Sequence, residues 1–311
     1  MFDAPPDTPQ SIGDLIGRSF RLYRRHVTVF FRTLLGPTIV SAAGSLGMQY
    51  FITSGLKAGS LEKALLPAAA VAASFFLLMA AKWVLTIRQL AFVRMAAGFA
   101  GDYRESHENI LRKKWQILLL SVFALAALVV LCAVWAVEIV LAIQVSKAGA
   151  LLAIVSAIGA LAAPFGLAFS VGFIVLSAFL ASCVIACEDE RMGGIVARGL
   201  SLACGDFWRA CAFGLLLYVA VSLVTIPLSA PLFIASVTDA VQHGITAGSG
   251  TEAYQMPLYL MVLSQIWESL MTMFLWPTMF VAFGLFYHDL RLRQEALDLT
   301  RQLDALEVKP R

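Results

Sequence analysis

The sequence predicts an all-α fold: a polytopic integral membrane helical bundle of six transmembrane helices, arranged as three hairpins that are each preceded by a cytoplasmic amphipathic helix. Two observations predict it. Of the 311 residues, 60% are hydrophobic and 14% are charged, whereas soluble globular proteins average roughly 45–50% and about 25%. The uncharged residues also gather in long runs. This composition excludes a disordered chain, a nucleic-acid binder with a basic surface and an ordinary soluble enzyme.

Six runs contain no Asp, Glu, Lys or Arg, and each is long enough to cross a bilayer once. A hydrocarbon core about 30 Å thick needs roughly 20 apolar residues in a helix. The apolar residues do not alternate with a period of two, which excludes a transmembrane β-barrel. The second run continues past Lys82 to Ile87. The runs comprise residues 33–56, 64–81, 115–137, 148–187, 210–238 and 269–288.

Lys and Arg are distributed unequally between alternate loops. One side of the predicted membrane carries 19 of the 23 basic residues, the other carries only Lys57, Lys63 and Lys147, and Lys82 lies within a span. Because loops rich in Lys and Arg stay in the cytoplasm, both termini are predicted to be cytoplasmic in a bacterial inner (plasma) membrane. Residues 1–10 lack the apolar core of a cleaved signal peptide, so the first span is expected to insert uncleaved.

The chain is expected to divide into four parts. These are a disordered N-terminus (1–10), an amphipathic interfacial helix (11–32), a six-helix transmembrane domain (33–288) and a cytoplasmic C-terminal helix or tail (289–311).

The helix predicted for residues 11–32 has one apolar and one basic face at 100° per residue. Such a helix should lie in the inner interface with its arginines toward anionic headgroups. The alternative is that these arginines only fix the topology. The apolar face comprises Ile12, Ile16, Phe20, Tyr23, Val27, Phe30 and Phe31. The candidate headgroup contacts, including basic residues beside later spans, are Arg18, Arg21, Arg24, Arg25, Arg32, Lys113, Lys114 and Arg209.

Two further cytoplasmic segments precede later hairpins. The segment 88–114 continues helically from the second span and is broken at Gly101 and Asp102. The segment 188–209 ends in Phe207-Trp208-Arg209, which resembles Phe30-Phe31-Arg32 before the first span. Since interfaces select aromatic and basic residues, convergence explains this likeness as well as duplication does.

Four polar residues interrupt or border the spans and are candidate functional residues by default: Lys82, Glu138, Gln265 and Glu268. Lys82 lies close enough to the inner end of its span to snorkel. Glu138 and Glu268 are predicted at similar outer depth. One hypothesis is a cleft lined by both, with Gln265, Tyr254 and Lys147 nearby. The alternative is that the two carboxylates simply face water at the interface.

The later spans exceed the length of one crossing. The run 148–187 would be roughly 60 Å as a straight helix, about twice the hydrocarbon core. Prolines that can kink a helix or begin a new one are Pro164, Pro227, Pro231 and Pro257. An apolar outer layer is therefore expected from residues 138–163 and 231–268, either bent along the interface or capping a cavity.

The closing segment carries alternating charges after an interfacial tyrosine. Asp289 with Arg293, and Arg291 with Glu295, are spaced four residues apart on a predicted helix, worth a few tenths of a kcal/mol if exposed. The functional hypothesis is an ionic lock that joins this tail to Arg18–Arg25, to Glu188–Arg191 or to a lipid phosphate. The alternative is a solvated helix end.

Three segments resemble one known family. IGDLIGRSFRLYRRH (12–26), the stretch from Ala186-Cys187-Glu188 to Phe207-Trp208-Arg209, and FYHDLRLRQEALDL (286–299) are similar to the opening, central and closing cytoplasmic motifs of the glycerophosphoryl diester phosphodiesterase membrane-domain family. Here His288 and Ala296 replace the usual tyrosine and glycine. The resemblance implies a membrane domain that is sometimes fused to a phosphodiesterase barrel, and this chain has no stretch long enough to form that barrel.

The residues favour a non-enzymatic membrane protein that binds or organises glycerophospholipids or scaffolds partners. No nucleophile–base pair, metal-ligand spacing or cofactor motif is visible among the five cysteines and four histidines. The predicted partners are anionic lipid headgroups at the cytoplasmic face, with a protein partner or homo-oligomer as a further expectation and no nucleic acid. The alternative function is a transporter or flippase-like carrier of a lipid or small amphiphile, using the cleft near Glu138 and Glu268.

Overall fold

The computed structural model describes residues 8–56, 61–145, 150–246 and 257–294. Within these ranges the chain is helical apart from short connections and contains no strand, which confirms the all-α fold class. The helices are α1 (Ile12–Leu56), α2 (Leu61–Ala96), α3 (Tyr103–Arg112), α4 (Lys114–Val145), α5 (Ala150–Cys187), α6 (Met192–Gly205), α7 (Phe207–Thr246) and α8 (Leu258–Gln294).

In the described part of the chain, six helices are long and apolar enough to cross a membrane, which is the predicted number. They are α1, α2, α4, α5, α7 and α8. The protein is therefore a multi-pass membrane protein. The short helix α3 precedes the long helices α4 and α5, and the short helix α6 precedes α7 and α8. The part of α1 before His26 takes the corresponding place ahead of the rest of α1 and α2.

The predicted amphipathic helix and first span form the single element α1, which breaks at His26. The backbone angles there, φ −117° and ψ 19°, are not helical. This break lies six residues before Arg32, the residue at which the interfacial helix was predicted to end. Phe30 and Leu34, four residues apart, are both fully buried, so the chain already packs as part of the span soon after His26.

The face of this first helix that packs against protein includes residues outside the apolar face named from the sequence. Leu15, Ser19 and Leu22 are at most 3% exposed, whereas Ile16 and Phe20 are only half-buried. Both stripes are compatible with helical spacing. The hydrophobic pattern therefore identified a helix but not which of its two apolar stripes packs against protein.

The connection between α2 and α3 follows the predicted break. Gly98 has a φ of 81°, in the left-handed region that glycine tolerates without strain. Asp102 then caps α3, because its Oδ1 accepts a hydrogen bond of 2.8 Å from the Tyr103 amide. The predicted segment 88–114 thus becomes the end of α2, a tight turn and a separate amphipathic helix.

Three of the four prolines expected to kink the long spans or begin a new helix lie inside continuous helices. Pro164 lies inside α5, and Pro227 and Pro231 lie inside α7, without ending either helix. Pro257 directly precedes α8 as expected. Membrane helices tolerate proline because neighbouring groups satisfy the freed carbonyls. The 38 residues of α5 extend roughly 57 Å, so its excess length continues the same helix.

The chain folds into two compact units. Among the described residues, unit 1 contains those within 1–12, 93–215 and 283–311, and unit 2 contains those within 13–92 and 216–282.

The core of unit 1 is built from stacked aromatic rings and one tight helix crossing. The rings of Phe213 and Phe286 stack with centroids 4.0 Å apart. On α6, a Cβ at Gly199 would lie 2.8 Å from the Cβ of Ala181 and 2.9 Å from its backbone nitrogen. Any larger residue at position 199 would therefore push α6 away from α5.

The core of unit 2 joins α1 to α2. Phe30 packs on Phe92 with ring centroids 4.2 Å apart, and the Arg88 guanidinium donates a hydrogen bond to the Thr33 carbonyl. A Cβ at Gly44 would lie 2.9 Å from the backbone nitrogen of Leu78. Such close backbone approach at a small residue is typical of helix packing in membranes.

Candidate functional site

The C-terminus of α5 is capped by two cations of unit 1. Arg94 Nη1 donates to the Ala186 carbonyl at 2.7 Å. Lys113 Nζ donates to the carbonyls of Ile185 at 2.9 Å and Glu188 at 2.7 Å. The last carbonyls of a helix lack helical partners and carry partial negative charge, so cations from α2 and from the residue before α4 stabilise this end.

Lys113 also forms an ion pair with Asp189, from Nζ to Oδ1 at 2.7 Å. The hydrogen bond and the positive charge of Lys113 lower the pKa of the Asp189 carboxyl. The lysine side chain is 11% exposed. Lys113, predicted to contact lipid headgroups, is therefore engaged with α5 and the residues that follow it.

The carboxylate of Glu188 forms the first of two charged clusters. It accepts a hydrogen bond from the Tyr287 hydroxyl and lies 3.4 Å from Arg198 Nε and 3.6 Å from Arg291 Nε. These four residues, here called the Glu188 cluster, connect the end of α5 to α6 and α8. Arg291 also lies over the Tyr287 ring, 5.9 Å from its centroid.

The carboxylate of Asp289 forms the second cluster, with a side chain only 2% exposed. Its Oδ2 accepts from Arg209 Nη2 at 2.7 Å and from Arg293 Nε at 3.0 Å. Its Oδ1 accepts from the backbone amide of Gln10 at 2.7 Å. The Gln10 carbonyl in turn accepts from Arg209 and Arg293 at 2.6 and 3.1 Å. We call these four residues the Asp289 cluster.

These clusters show where the residues of the predicted ionic lock lie. Arg291 meets Glu188, one of the three partners considered for the tail, and Arg293 meets Asp289 as its spacing predicted. Asp289 binds Arg209 rather than any of Arg18–Arg25, and Glu295 lies outside the described residues. Whether the contacts act as a lock stays a prediction.

An apolar cavity of about 800 Å³ lies between α4, α5 and α6 of unit 1. We call it the α4–α6 groove. Its walls carry large apolar side chains, and nothing lies within 4 Å of a Cβ at Gly193, so the α6 side is open. Representative lining residues are Leu120, Phe123, Phe173, Ile174, Val196 and Leu200.

One end of the groove is polar and mostly basic. Gln116, one turn before Leu120 on α4, donates from Nε2 to the Glu190 carbonyl at 3.1 Å. Lys114, two residues before Gln116, and Arg191, directly after Glu190, are both exposed. The acidic residues here are Asp189, which pairs with Lys113, and Glu190, whose carboxylate lies against Gly194 at the start of α6. Neither Lys114 nor Arg191 forms an ion pair among the described residues, and the Lys114 ammonium lies 5.9 Å from the centroid of the Trp115 ring.

In unit 2, Glu268 lies exposed at a smaller pocket of about 350 Å³ between α7 and α8. The pocket wall includes Trp267, whose Nε1 donates to the Ser229 hydroxyl at 3.3 Å. Gln265, predicted to accompany Glu268, is buried and does not line this pocket. Glu138 is exposed on α4 and belongs to unit 1. The cleft predicted between the two glutamates stays a prediction.

The other predicted residues are placed as follows. Arg21, Arg24, Arg25 and Arg32 are exposed and Arg18 is half-buried, all on α1. Lys82 is exposed on α2. Tyr254 and Lys147, expected near the outer cleft, lie outside the described residues.

Sequence reasoning missed Gln10 and Arg94, and it assigned Lys113 and Arg209 to lipid. Arg94 and Lys113 carried a usable signal, because cations commonly bind exposed carbonyls at helix ends. Gln10 carried none, since its backbone and not its side chain enters the Asp289 cluster.

Comparison of the chain with family models, with curated proteins and with solved structures finds no match. The resemblance to the glycerophosphoryl diester phosphodiesterase membrane-domain family therefore stays a prediction.

Proposed function

We propose that this multi-pass membrane protein is non-enzymatic and binds anionic glycerophospholipids of the cytoplasmic leaflet. The observation that supports the proposal is the α4–α6 groove, which joins an apolar cavity to an exposed basic end. The proposal includes an inner-membrane location with both termini in the cytoplasm, and membership of the glycerophosphoryl diester phosphodiesterase membrane-domain family.

The groove suits one acyl chain and its headgroup. Ligand cavities typically measure about 300–1,000 Å³ and combine apolar walls with a few polar groups, and this one measures about 800 Å³. An acyl chain placed along Phe123 and Phe173 would leave its phosphate near Lys114 and Arg191. Basic residues at a membrane surface attract anionic lipid by about 1 kcal/mol each.

The Glu188 cluster and the hydrogen bond of Gln116 support this arrangement by fixing the walls. The Glu188 cluster ties α6 to α5 and α8, and the bond from Gln116 ties the start of α4 to Glu190, two residues before α6. The three helices that line the groove are thereby held together at its polar end. A preformed site loses less conformational entropy when a ligand binds.

Native mass spectrometry of the full chain, extracted from membranes with its lipids, tests the proposal. Gly193→Phe fills the groove, whereas Gly172→Phe adds the same ring on α5, where a Cβ also meets nothing within 4 Å. The expected result is a bound phospholipid in the wild type and in Gly172→Phe, and at least tenfold lower occupancy in Gly193→Phe. Equal occupancy in the two variants would contradict the groove as the site.

The headgroup contacts are tested separately. Lys114→Gln with Arg191→Gln should lower the preference for phosphatidylglycerol over phosphatidylcholine, while Arg104→Gln, an exposed arginine on α3, should not. Labelling from each side of the membrane at Cys204, which is exposed on α6, and at a cysteine introduced near Gly248 tests the orientation. Labelling of both from one side would contradict it.

A second candidate function is a carrier of a lipid or small amphiphile. The observation that favours it is the exposed carboxylate of Glu268, which lines a pocket between α7 and α8. Its test is flux in proteoliposomes. A carrier that uses Glu138 and Glu268 should lose flux in the double Gln variant, and unchanged flux would rule out this candidate.

A further inference from the structure

The pocket beside Glu268 in unit 2 presents mainly hydrogen-bond acceptors. It lies between α7 and α8, and six of its ten lining residues carry polar side-chain atoms. The polar residues of its lining are Thr225, Ser229, Ser236, Ser264, Trp267 and Glu268. All of them belong to unit 2.

Most donors of this pocket are already used. Three hydroxyls donate to carbonyls of their own helices, and the indole N–H donates to a hydroxyl. The bonds are Thr225 Oγ1 to Val221 O at 2.9 Å, Ser236 Oγ to Phe233 O at 2.8 Å, Ser264 Oγ to Met261 O at 2.9 Å and Trp267 Nε1 to Ser229 Oγ at 3.3 Å. A hydroxyl that donates keeps lone pairs that can still accept, so these oxygens favour a donating ligand.

Glu268 adds the charge. Its side chain is exposed, and none of the ion pairs formed among the described residues involves it. An ionised carboxylate only accepts hydrogen bonds and repels a phosphate or sulfate. The remaining walls are apolar, with Leu232, Phe233 and Leu260 among them.

We propose that this pocket binds the protonated amine of a primary-amine amphiphile. An –NH3+ group has three donors and no acceptor, which matches the Glu268 carboxylate together with the hydroxyl oxygens. The neighbouring Trp267 ring adds cation–π attraction, and the apolar wall receives the hydrocarbon chain. The proposal goes beyond the anionic-lipid site in unit 1 and does not depend on it.

Isothermal titration calorimetry of the full chain in dodecyl maltoside micelles, with empty micelles as the blank, tests this site. The probes are octylammonium chloride, octyltrimethylammonium chloride and octanol. Octylammonium should bind the wild type at least tenfold more tightly than octanol. Glu268→Gln should weaken octylammonium binding about tenfold to hundredfold, the range measured for hydrogen bonds to charged groups.

Glu138→Gln is the matched control, because Glu138 is also an exposed carboxylate on an apolar helix but does not line this pocket. It should bind octylammonium like the wild type. Ser236→Ala with Ser264→Ala removes two acceptors without touching the charge and should weaken binding several-fold. This pair keeps the proposal testable if Glu268→Gln does not fold.

Three results would overturn the proposal. The first is equal octylammonium affinity in Glu268→Gln and Glu138→Gln. The second is octanol binding the wild type as tightly as octylammonium. The third is octyltrimethylammonium, which has no N–H donor, binding as tightly as octylammonium.

Discussion

The carboxylates at the candidate sites of units 1 and 2 differ in their contacts. In unit 1, Glu188 and Asp289 each lie between two arginines, and Asp189 pairs with Lys113. In unit 2, Glu268 is exposed at a pocket. The difference indicates that Glu188 and Asp289 of unit 1 hold helices together, whereas Glu268 of unit 2 is available to a ligand.

The sharpest test of this difference is Asp289→Asn. Its carboxylate is nearly fully buried between Arg209 and Arg293, and removing one partner of a buried charge pair typically costs about 3–5 kcal/mol. We expect the free energy of unfolding to fall by about 3 kcal/mol, measured by denaturation in micelles. Glu268→Gln, the counterpart in unit 2, should change it by less than about 0.5 kcal/mol. A loss in Glu268→Gln as large as in Asp289→Asn would break the comparison.

Tyr287→Phe should have the next largest effect. It removes only the hydroxyl that donates to Glu188, and a hydrogen bond to a charged group contributes about 1.5–3 kcal/mol. A loss of about 2 kcal/mol is expected by the same method. Tyr218→Phe, an exposed tyrosine on α7, serves as the control. If the two variants are equally stable, the hydroxyl of Tyr287 does not hold α8 to Glu188.

Gly199→Ala tests whether helix contact matters as well as charge. The added methyl would meet Ala181, and overpacking typically costs about 1–3 kcal/mol, partly offset by up to about 1 kcal/mol of helix propensity. A net loss of about 1 kcal/mol is expected. Gly172→Ala, where the methyl meets open space, should be neutral or stabilising. The prediction is wrong if both substitutions stabilise.

The smallest expected effect belongs to the pair of Lys113 with Asp189. Because the folded-state pKa of Asp189 is lowered from 3.8, the pair stabilises the protein above that value and loses its contribution as the pH falls through the lower folded-state pKa. Since the carboxylate is 89% exposed, Asp189→Asn should cost less than about 1 kcal/mol at pH 7. The stability difference from wild type should vanish in acid. A difference that grows in acid would reverse the expected sign.

The sequence predicted the number of spans because bilayer thickness imposes a length on every apolar run. It also predicted the break at Asp102, where turn and capping chemistry is local. It placed the end of the first amphipathic helix at Arg32 rather than at His26, because the charge pattern continues past the point where Phe30 becomes buried.

The candidate sites were less predictable. Glu268 could be singled out because a carboxylate beside an apolar run is costly to bury. Its pocket could not, since that depends on which hydroxyls of α7 and α8 face each other. The two stripes of α1 illustrate the same limit, as periodicity does not reveal which apolar face meets protein.

The backbone contacts of Gln10 have a consequence for how this chain can vary. Arg209, Asp289 and Arg293 bind only its amide and carbonyl, groups that nearly every amino acid supplies. The side chain at position 10 can therefore be substituted while the backbone contacts with Arg209, Asp289 and Arg293 are retained. Proline is the exception, because it has no amide hydrogen to donate.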